Sequence, residues 1–244
     1  MSGEIVRPVS AVTSARLSLG LGSGAVSTRE QLRFQMDHAL ARDAVHAELD
    51  VAMLERGLRD RELESVVLRS AVTGGRKEYL RRPDLGRALD EASRTALVGG
   101  AGDVVFVIAD GLSALAVERH ALPLIDAVLA GMDRERWKLG PVCVVSQGRV
   151  AIGDEIGVLL GAKLVVLLIG ERPGLSAADS LGVYLTWEPR MGRSDAERNC
   201  ISNVRVEGLG YAEAARRVLY LMESARKLGL TGVGLKDGLG PSLP

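Results

Sequence analysis

Aromatic side chains are scarce: two Trp, four Tyr and two Phe in 244 residues. That leaves too few flat faces for a base-stacking platform or a methyl-ammonium cage. Net charge is missing as well, because 31 Lys and Arg are matched by 31 Asp and Glu. No field of one sign draws the chain to nucleic acid or to an anionic membrane, and neither partner is expected. The two cysteines, Cys143 and Cys200, cannot build a disulfide framework or a structural zinc site, so a reducing cytoplasm is the expected setting. Three histidines, His38, His46 and His120, form no zinc arrangement and flank no nucleophile elbow. No metal site and no catalytic residue is expected from this chain. The opening MSGEIVRPVS lacks the apolar core of a signal peptide, and the longest apolar run, residues 156–170, is interrupted by Lys163 and too short to span a bilayer. A soluble protein is expected.

What is present is a change of grammar near residue 99. Gly20, Gly22 and Gly24 lie in a flexible lead-in, after which Ser27 and Thr28, ahead of Glu30 and Gln31, offer capping boxes. Leu32, Met36, Ala39, Leu40, Ala44 and Ala47 then recur at spacings of three and four, which predicts a helix over 29–46 packed by one face. Further helical patterns cover 50–58, 63–71 and 84–95, separated by the turn signals Thr73-Gly74-Gly75 and Pro83. From residue 103 the pattern becomes short apolar runs, at 103–108, 141–145 and 164–169 with a fourth at 182–187, alternating with helices at 113–130, 148–162 and 211–228. Continuously apolar strands between helices indicate a parallel sheet covered on both faces. The fold class expected is α/β, a Rossmann-like doubly wound parallel sheet in the C-terminal half preceded by a mainly helical N-terminal region. The domains are then 1–99, helical, and 100–244, α/β.

In an open parallel sheet, ligands bind beyond the carboxyl ends of the strands. Three segments fall there: residues 110–113, 146–150 and 170–174, each mixing glycine with polar side chains. Any one of them alone is an ordinary strand-to-helix turn; three together point to a site. Gly153, Gly157 and Gly161 line one helix face, which suits close helix-to-strand packing better than ligand contact. Residues 73–77 lack the spacing of a phosphate-binding loop, and 20–24 lack the dinucleotide fingerprint. Cys143 lies in an apolar run and reads as inert core, whereas Cys200 has polar neighbours but no visible base or oxyanion hole.

Several long stretches carry a resemblance: FQMDH at 34–38 and ARDAVH at 41–46, RPDLGR at 82–87, QGRVAIGDEIG at 147–157, GERPGL at 170–175, DSLGVYLTW at 179–187 and DAERNCISN at 195–203. Together, in the same order from about residue 13 to 237, they resemble the small (light) subunit of ethanolamine ammonia-lyase. The front is shorter than the extended N-terminal segment some members carry, so no targeting role is expected of it. The resemblance implies an adenosylcobalamin-dependent lyase that converts ethanolamine to acetaldehyde and ammonia, with the cofactor held between a large and a small subunit in a higher-order hetero-oligomer. Cleavage of the cofactor's cobalt–carbon bond supplies a deoxyadenosyl radical, while the protein binds, orients and protects. The substrate pocket is then on the large subunit, and the isolated small chain is inactive. The localisation expected is cytoplasmic, either free or within a bacterial microcompartment.

Residue by residue, the resemblance places cobalamin contacts on Val150, Glu171 and Cys200. Glu171 can accept hydrogen bonds from the amide side chains that fringe a corrin, Val150 offers main-chain groups and an apolar contact, and Cys200 serves by packing or main-chain contact. Arg149 and Arg172 are further candidates for polar contacts. No histidine here has the Asp-x-His-x-x-Gly pattern of domains that replace the cofactor's lower base, so no cobalt ligand is expected from this chain. The helical first half is the expected contact for the large subunit. Two other readings are a free-standing Rossmann-like nucleotide-dependent enzyme, which the missing phosphate fingerprint disfavours, and a purely structural subunit.

Overall fold

The computed structural model describes residues 20–21, 25–97, 99–100, 102–236 and 238. Two short strands, β1 (Gly20–Leu21) and β2 (Ala25–Val26), pair antiparallel within the expected lead-in, of which the residues up to 19 and residues 22–24 lie outside the described residues. Helix α1 (Thr28–His46) follows, capped by Ser27, whose Oγ accepts from the Glu30 amide at 3.3 Å. Its expected apolar stripe is corrected: Ala41 and Ala44 are buried, but Leu32, Met36 and Leu40 are each more than half exposed. Helix α2 (Val51–Arg59) begins where Asp50 Oδ1 accepts from the Met53 amide at 2.8 Å, and it buries Leu54 and Leu58 completely.

The helix expected over 63–71 is a strand, β3 (Ser65–Arg69). It runs parallel to β5 (Val142–Ser146) in continuous register from Ser65 opposite Val142 to Arg69 opposite Ser146. Val66 and Val67 are β-branched and Leu68 is fully buried, so pairing with a buried neighbour outweighs a helical pattern only nine residues long. The first hundred residues therefore contribute a strand to the main sheet. The helix expected over 84–95 is also divided, into a 3-10 turn at Leu85–Arg87 and α4 (Glu91–Ala96), with α3 (Gly75–Arg81) preceding both.

Downstream, β4 (Val104–Ala109), α5 (Ala114–Gly131), β5, α6 (Ile152–Leu160), β6 (Leu164–Gly170), β7 (Leu181–Trp187) and α7 (Tyr211–Leu228) fall close to the expected positions. The six-stranded sheet has the order β3-β5-β4-β6-β7-β8. Its first four strands are parallel, but β7 is antiparallel to β6, and β8 (Asn199–Val204) is antiparallel to β7. The expectation of a wholly parallel sheet is thus corrected, and β8 is a strand the apolar runs did not disclose. A ten-residue connection from 171 to 180 is too short for a helical crossover, so β7 returns beside β6 as a hairpin.

Alternating side chains put two cores on the two faces. Phe106 and Ile108 of β4 pack with Leu124 and Ile125 of α5 and with Val218 and Leu221 of α7. Val105 and Val107 pack on the other face with Ile152 and Ile156 of α6. Each such side chain, fully buried, contributes about 1.5–3 kcal/mol. Among the described residues, no helix is long and apolar enough to cross a membrane.

Candidate functional site

The loops after β4, β5 and β6 meet at the carboxyl edge of the parallel strands. Asp110 braces the first two: its Oδ2 accepts from Arg76 Nη1 at 2.9 Å and its Oδ1 from the Gly148 amide at 3.2 Å. Arg76 also donates to Gly111 O at 3.0 Å and to Val45 O at 2.7 Å, tying the end of α1 to this edge. Burial pushes the Asp110 carboxyl up to about 6, against the Arg76 charge and the amides that hold it down. Gly111 has φ +53°, and a Cβ there would lie 2.3 Å from Gly170 O. A Cβ on Gly170 would lie 2.0 Å from Ser113 O. These two glycines allow one loop backbone to press on another, so the 110–113 loop acts as a buried support.

Glu171, the first residue after β6, lies on that support. Its side chain passes over Gly182 of β7, where a Cβ would come within 3.1 Å of Glu171 Cγ and Oε1. Glu171 Oε2 accepts from Ser180 Oγ and from the Asn203 amide at 3.1 Å, and Oε1 accepts from Ser202 Oγ. A carboxylate has about four acceptor positions, so three donors hold it rigid and leave one, on Oε1, for a further donor.

Cys200 sits on β8 directly opposite Tyr184 of β7. Leu181, Val183, Leu185, Ile201 and Val204 turn to the face covered by α5 and α7. Gly182, Tyr184, Cys200 and Ser202 turn to the opposite face, where Cys200 and Ser202 are exposed. The helices that pack most extensively on β7 and β8, α5 and α7, are both on the first face, while on the second face Tyr184 is half-buried against the core that α6 covers. An exposed patch at β8, bordered by α6 and by residues 188–198, therefore adjoins the Glu171 carboxylate. Surrounding protein atoms push the Cys200 thiol up, and the charges of Glu171 and Asp195 add to this against a hydrogen bond with Tyr184. Such a thiol is a poor nucleophile and a good packing surface. Cys143, expected as core, is fully buried, with its thiol raised to about 12.

The border is itself pinned. Arg198 Nη1 and Nη2 donate to the two oxygens of Asp154 at 2.6 and 2.7 Å, joining the start of β8 to the first turn of α6. Of the glycine stripe, Gly153 and Gly157 permit the expected close packing: a Cβ at Gly157 would lie 2.6 Å from Val165 Cγ2 and 2.4 Å from Pro189 Cγ. Gly161 has another role, closing α6 in the left-handed conformation at φ +67°. Between α6 and residues 193–195 lies an open cleft of about 320 Å³, lined by Arg87, Arg149, Val150, Ala151, Arg193 and Asp195.

The structure thus brings Glu171 and Cys200 to one face and sets Val150 in the cleft that Asp195 also lines, with the Asp195 charge acting on Cys200. Arg149 lies in the same cleft, and Arg172 is exposed on the 170–174 loop. Ser180, Gly182, Tyr184 and Ser202 were not anticipated. The alternation of Cys200 and Ser202 with Ile201 is a strand signal, but it is too short to stand out without its partner β7. Among the described residues, no cluster of His, Cys, Asp and Glu could hold a metal ion.

Fold and site together define an α/β protein with a mixed six-stranded sheet, an exposed patch on one face at β8 and a fixed carboxylate beside it. Comparison with known proteins gives the family. The model of the ethanolamine ammonia-lyase light chain (EutC) matches residues 4–236. The chain is 54% identical over 232 residues to the ethanolamine ammonia-lyase small subunit of Azotobacter vinelandii, covering 93% of this chain and 86% of that protein. It is 54% identical over 232 residues to that of Pseudomonas fluorescens, covering 93% and 84%. To that of Xanthomonas campestris pv. campestris it is 53% identical over 233 residues, covering 93% and 85%. The chain belongs to the ethanolamine ammonia-lyase light chain family, a family of lyase subunits.

Proposed function

We propose that this chain forms one wall of an adenosylcobalamin site in an ethanolamine ammonia-lyase, the other wall and the ethanolamine pocket being supplied by a large subunit. The observation that carries the reading is the Glu171 carboxylate, fixed by Ser180, Ser202 and the Asn203 amide beside the exposed patch of β8, with one acceptor position free. A corrin is a broad disc fringed with carboxamides, and its N–H donors match that free position. An apolar and main-chain floor at Tyr184 and Cys200 matches the disc itself. Bound there, adenosylcobalamin supplies the radical chemistry that removes ammonia from ethanolamine.

The work of this chain is binding, orientation and exclusion of water. Glu171 anchors a carboxamide on the rim, and its three internal hydrogen bonds keep it from following solvent. Cys200 packs through its sulfur and backbone, and its raised thiol stays protonated and is a poor nucleophile. Val150 presents its side chain and backbone at the start of α6. The sheet is read as Rossmann-like and doubly wound about β4, with β7 and β8 added as an antiparallel extension that makes the floor. In this reading residues 100–244 bind the cofactor, and residues 1–99 dock the large subunit while lending β3 to the sheet. The exposed Leu32, Met36 and Leu40 of α1 are the surface offered for that contact. The assembly is a cytoplasmic hetero-oligomer, inactive as the isolated small chain.

The test is reconstitution with the large subunit encoded in the same organism, following adenosylcobalamin-dependent ammonia release and, separately, cofactor binding by visible absorption. Glu171→Ala should weaken cofactor binding about tenfold, the effect of one charge-assisted hydrogen bond, with the two-subunit complex intact on size exclusion. Unchanged cofactor affinity in both Glu171→Ala and Val150→Trp would leave the chain a purely structural subunit and overturn the proposal.

A further inference from the structure

The cleft at the start of α6 contains more cationic character than it uses. The Arg149 guanidinium lies 4.4 Å from the centre of the Tyr79 ring, and its backbone amide donates to Gly86 O at 2.7 Å. A Cβ on Gly86 would lie 2.9 Å from Arg149 Cγ, so the stem is held between an aromatic face and a bare backbone. Tyr79 is fixed in turn, fully buried with its hydroxyl donating to Gly148 O at 2.8 Å. Yet Arg149 Nε is buried without a hydrogen-bond partner, and among the described residues no carboxylate pairs with Arg149 or with the exposed Arg87. The third guanidinium of the cleft is different. Arg193 donates to Glu197 Oε1 at 2.9 Å and to Glu188 O at 2.7 and 3.1 Å, which makes it a neutralised wall. Asp195 is the one carboxylate of the lining, its side chain 95% exposed and 3.7 Å from Arg198 Nε.

Two unpaired guanidinium groups, one of them immobilised, face an open space beside the positive end of a nine-residue helix. We propose that this cleft is a phosphate site, with Arg87 and Arg149 as its ligands, and that it takes the phosphodiester of the nucleotide tail of cobalamin. The inference rests on the cofactor reading above and adds to it the part of the cofactor this cleft receives. A guanidinium fork suits the oxygens of a phosphate, and the space of about 320 Å³ is larger than a carboxylate side chain needs and sufficient for a sugar phosphate. Val150 joins this cleft to the rest of the site, so a disc over β7 and β8 and a tail over α6 are compatible.

The experiment uses the reconstituted two-subunit complex and two probes, adenosylcobalamin and adenosylcobinamide, which share the corrin but differ in the nucleotide tail and its phosphate. Arg87→Gln and the pair Arg87→Gln with Arg149→Gln are titrated with each by visible absorption. The single variant should weaken adenosylcobalamin by about tenfold and the pair by about a hundredfold, with adenosylcobinamide within about twofold of the unaltered complex. Glu171→Ala, as the control, should weaken both probes alike. Equal weakening of both probes by the arginine changes would assign them to the corrin rim or to folding, and would overturn the phosphate site. So would unchanged binding accompanied by weaker association of the subunits, which would make the cleft a seat for a carboxylate of the large subunit. Arg87 is exposed, so its variant tests the site without a folding defect. If the unaltered complex binds neither probe, the cofactor reading itself fails and the phosphate assignment falls with it.

Discussion

Replacing Asp154 by Ala should be among the most damaging single changes in this chain, because it strands a cation. The Arg198 side chain is 1% exposed and that of Asp154 3% exposed, and the two are joined by paired hydrogen bonds of 2.6 and 2.7 Å. Arg198 has two further hydrogen-bond acceptors, Thr186 Oγ1 at 3.1 Å and Arg193 O at 2.9 Å, neither of which is charged, and its other nearby carboxylate, Asp195, is solvent-exposed and 3.7 Å from Nε. A guanidinium is too basic to lose its proton inside a protein, so Arg198 cannot escape the loss of its partner by becoming neutral. Removal of one partner of a buried pair costs about 3–5 kcal/mol. For a chain of this size that corresponds to a fall in melting temperature of roughly 6–20 °C. Urea unfolding followed by far-UV circular dichroism would measure the loss directly. The companion variant, Asp154→Ala with Arg198→Leu, removes both charges and should recover most of it. A loss under about 1 kcal/mol in the single variant, or no recovery in the double, would refute the reasoning. The bridge also ties residues 193–198 to α6, so the single variant should open the cleft that contains Val150.

Gly170→Ala should destabilise by at least about 1–3 kcal/mol, since its Cβ would meet Ser113 O at 2.0 Å and Asp110 O at 2.5 Å; a melting temperature equal to that of the natural chain would disprove the backbone contact. Gly182→Ala meets a side chain and not backbone, Glu171 at 3.1 Å, which must shift by a few tenths of an ångström, so stability should fall by about 1 kcal/mol or less while adenosylcobalamin affinity in the two-subunit complex falls, read by visible titration. Asp110 titrates near 6 in the folded chain against an ordinary value of 3.8, so the native state binds its proton more tightly than the unfolded state. Its contribution to stability is therefore complete below the ordinary value and lost as pH rises through about 6. Urea midpoints measured from pH 4 to 7 should show that decline, and Asp110→Asn should flatten it.

The local sequence determined α1, α2, α5, α7 and the strands β4 to β7, because those segments carry strong periodicity or unbroken β-branched runs, and their ends carry side-chain caps or Gly229. The same reading located the 146–150 and 170–174 loops at the carboxyl edge of the parallel strands, where Val150 and Glu171 lie. It failed at β3, whose residues are strand only because β5 lies alongside, and at β8, whose six residues are half polar because one of their faces is left bare. It also read Leu32, Met36 and Leu40 as a packing stripe, since periodicity reports which residues share a face and not whether anything covers it. Tertiary structure alone decided that β7 turns back on β6, which swings Ser180, Gly182 and Ser202 around Glu171 from as far as 31 residues away. Hydrogen-bonded neighbours of that kind have no fixed spacing along a chain. They exist because a sheet brings strand ends together, so a carboxylate that is an ordinary loop residue in the sequence becomes a rigid acceptor in the fold.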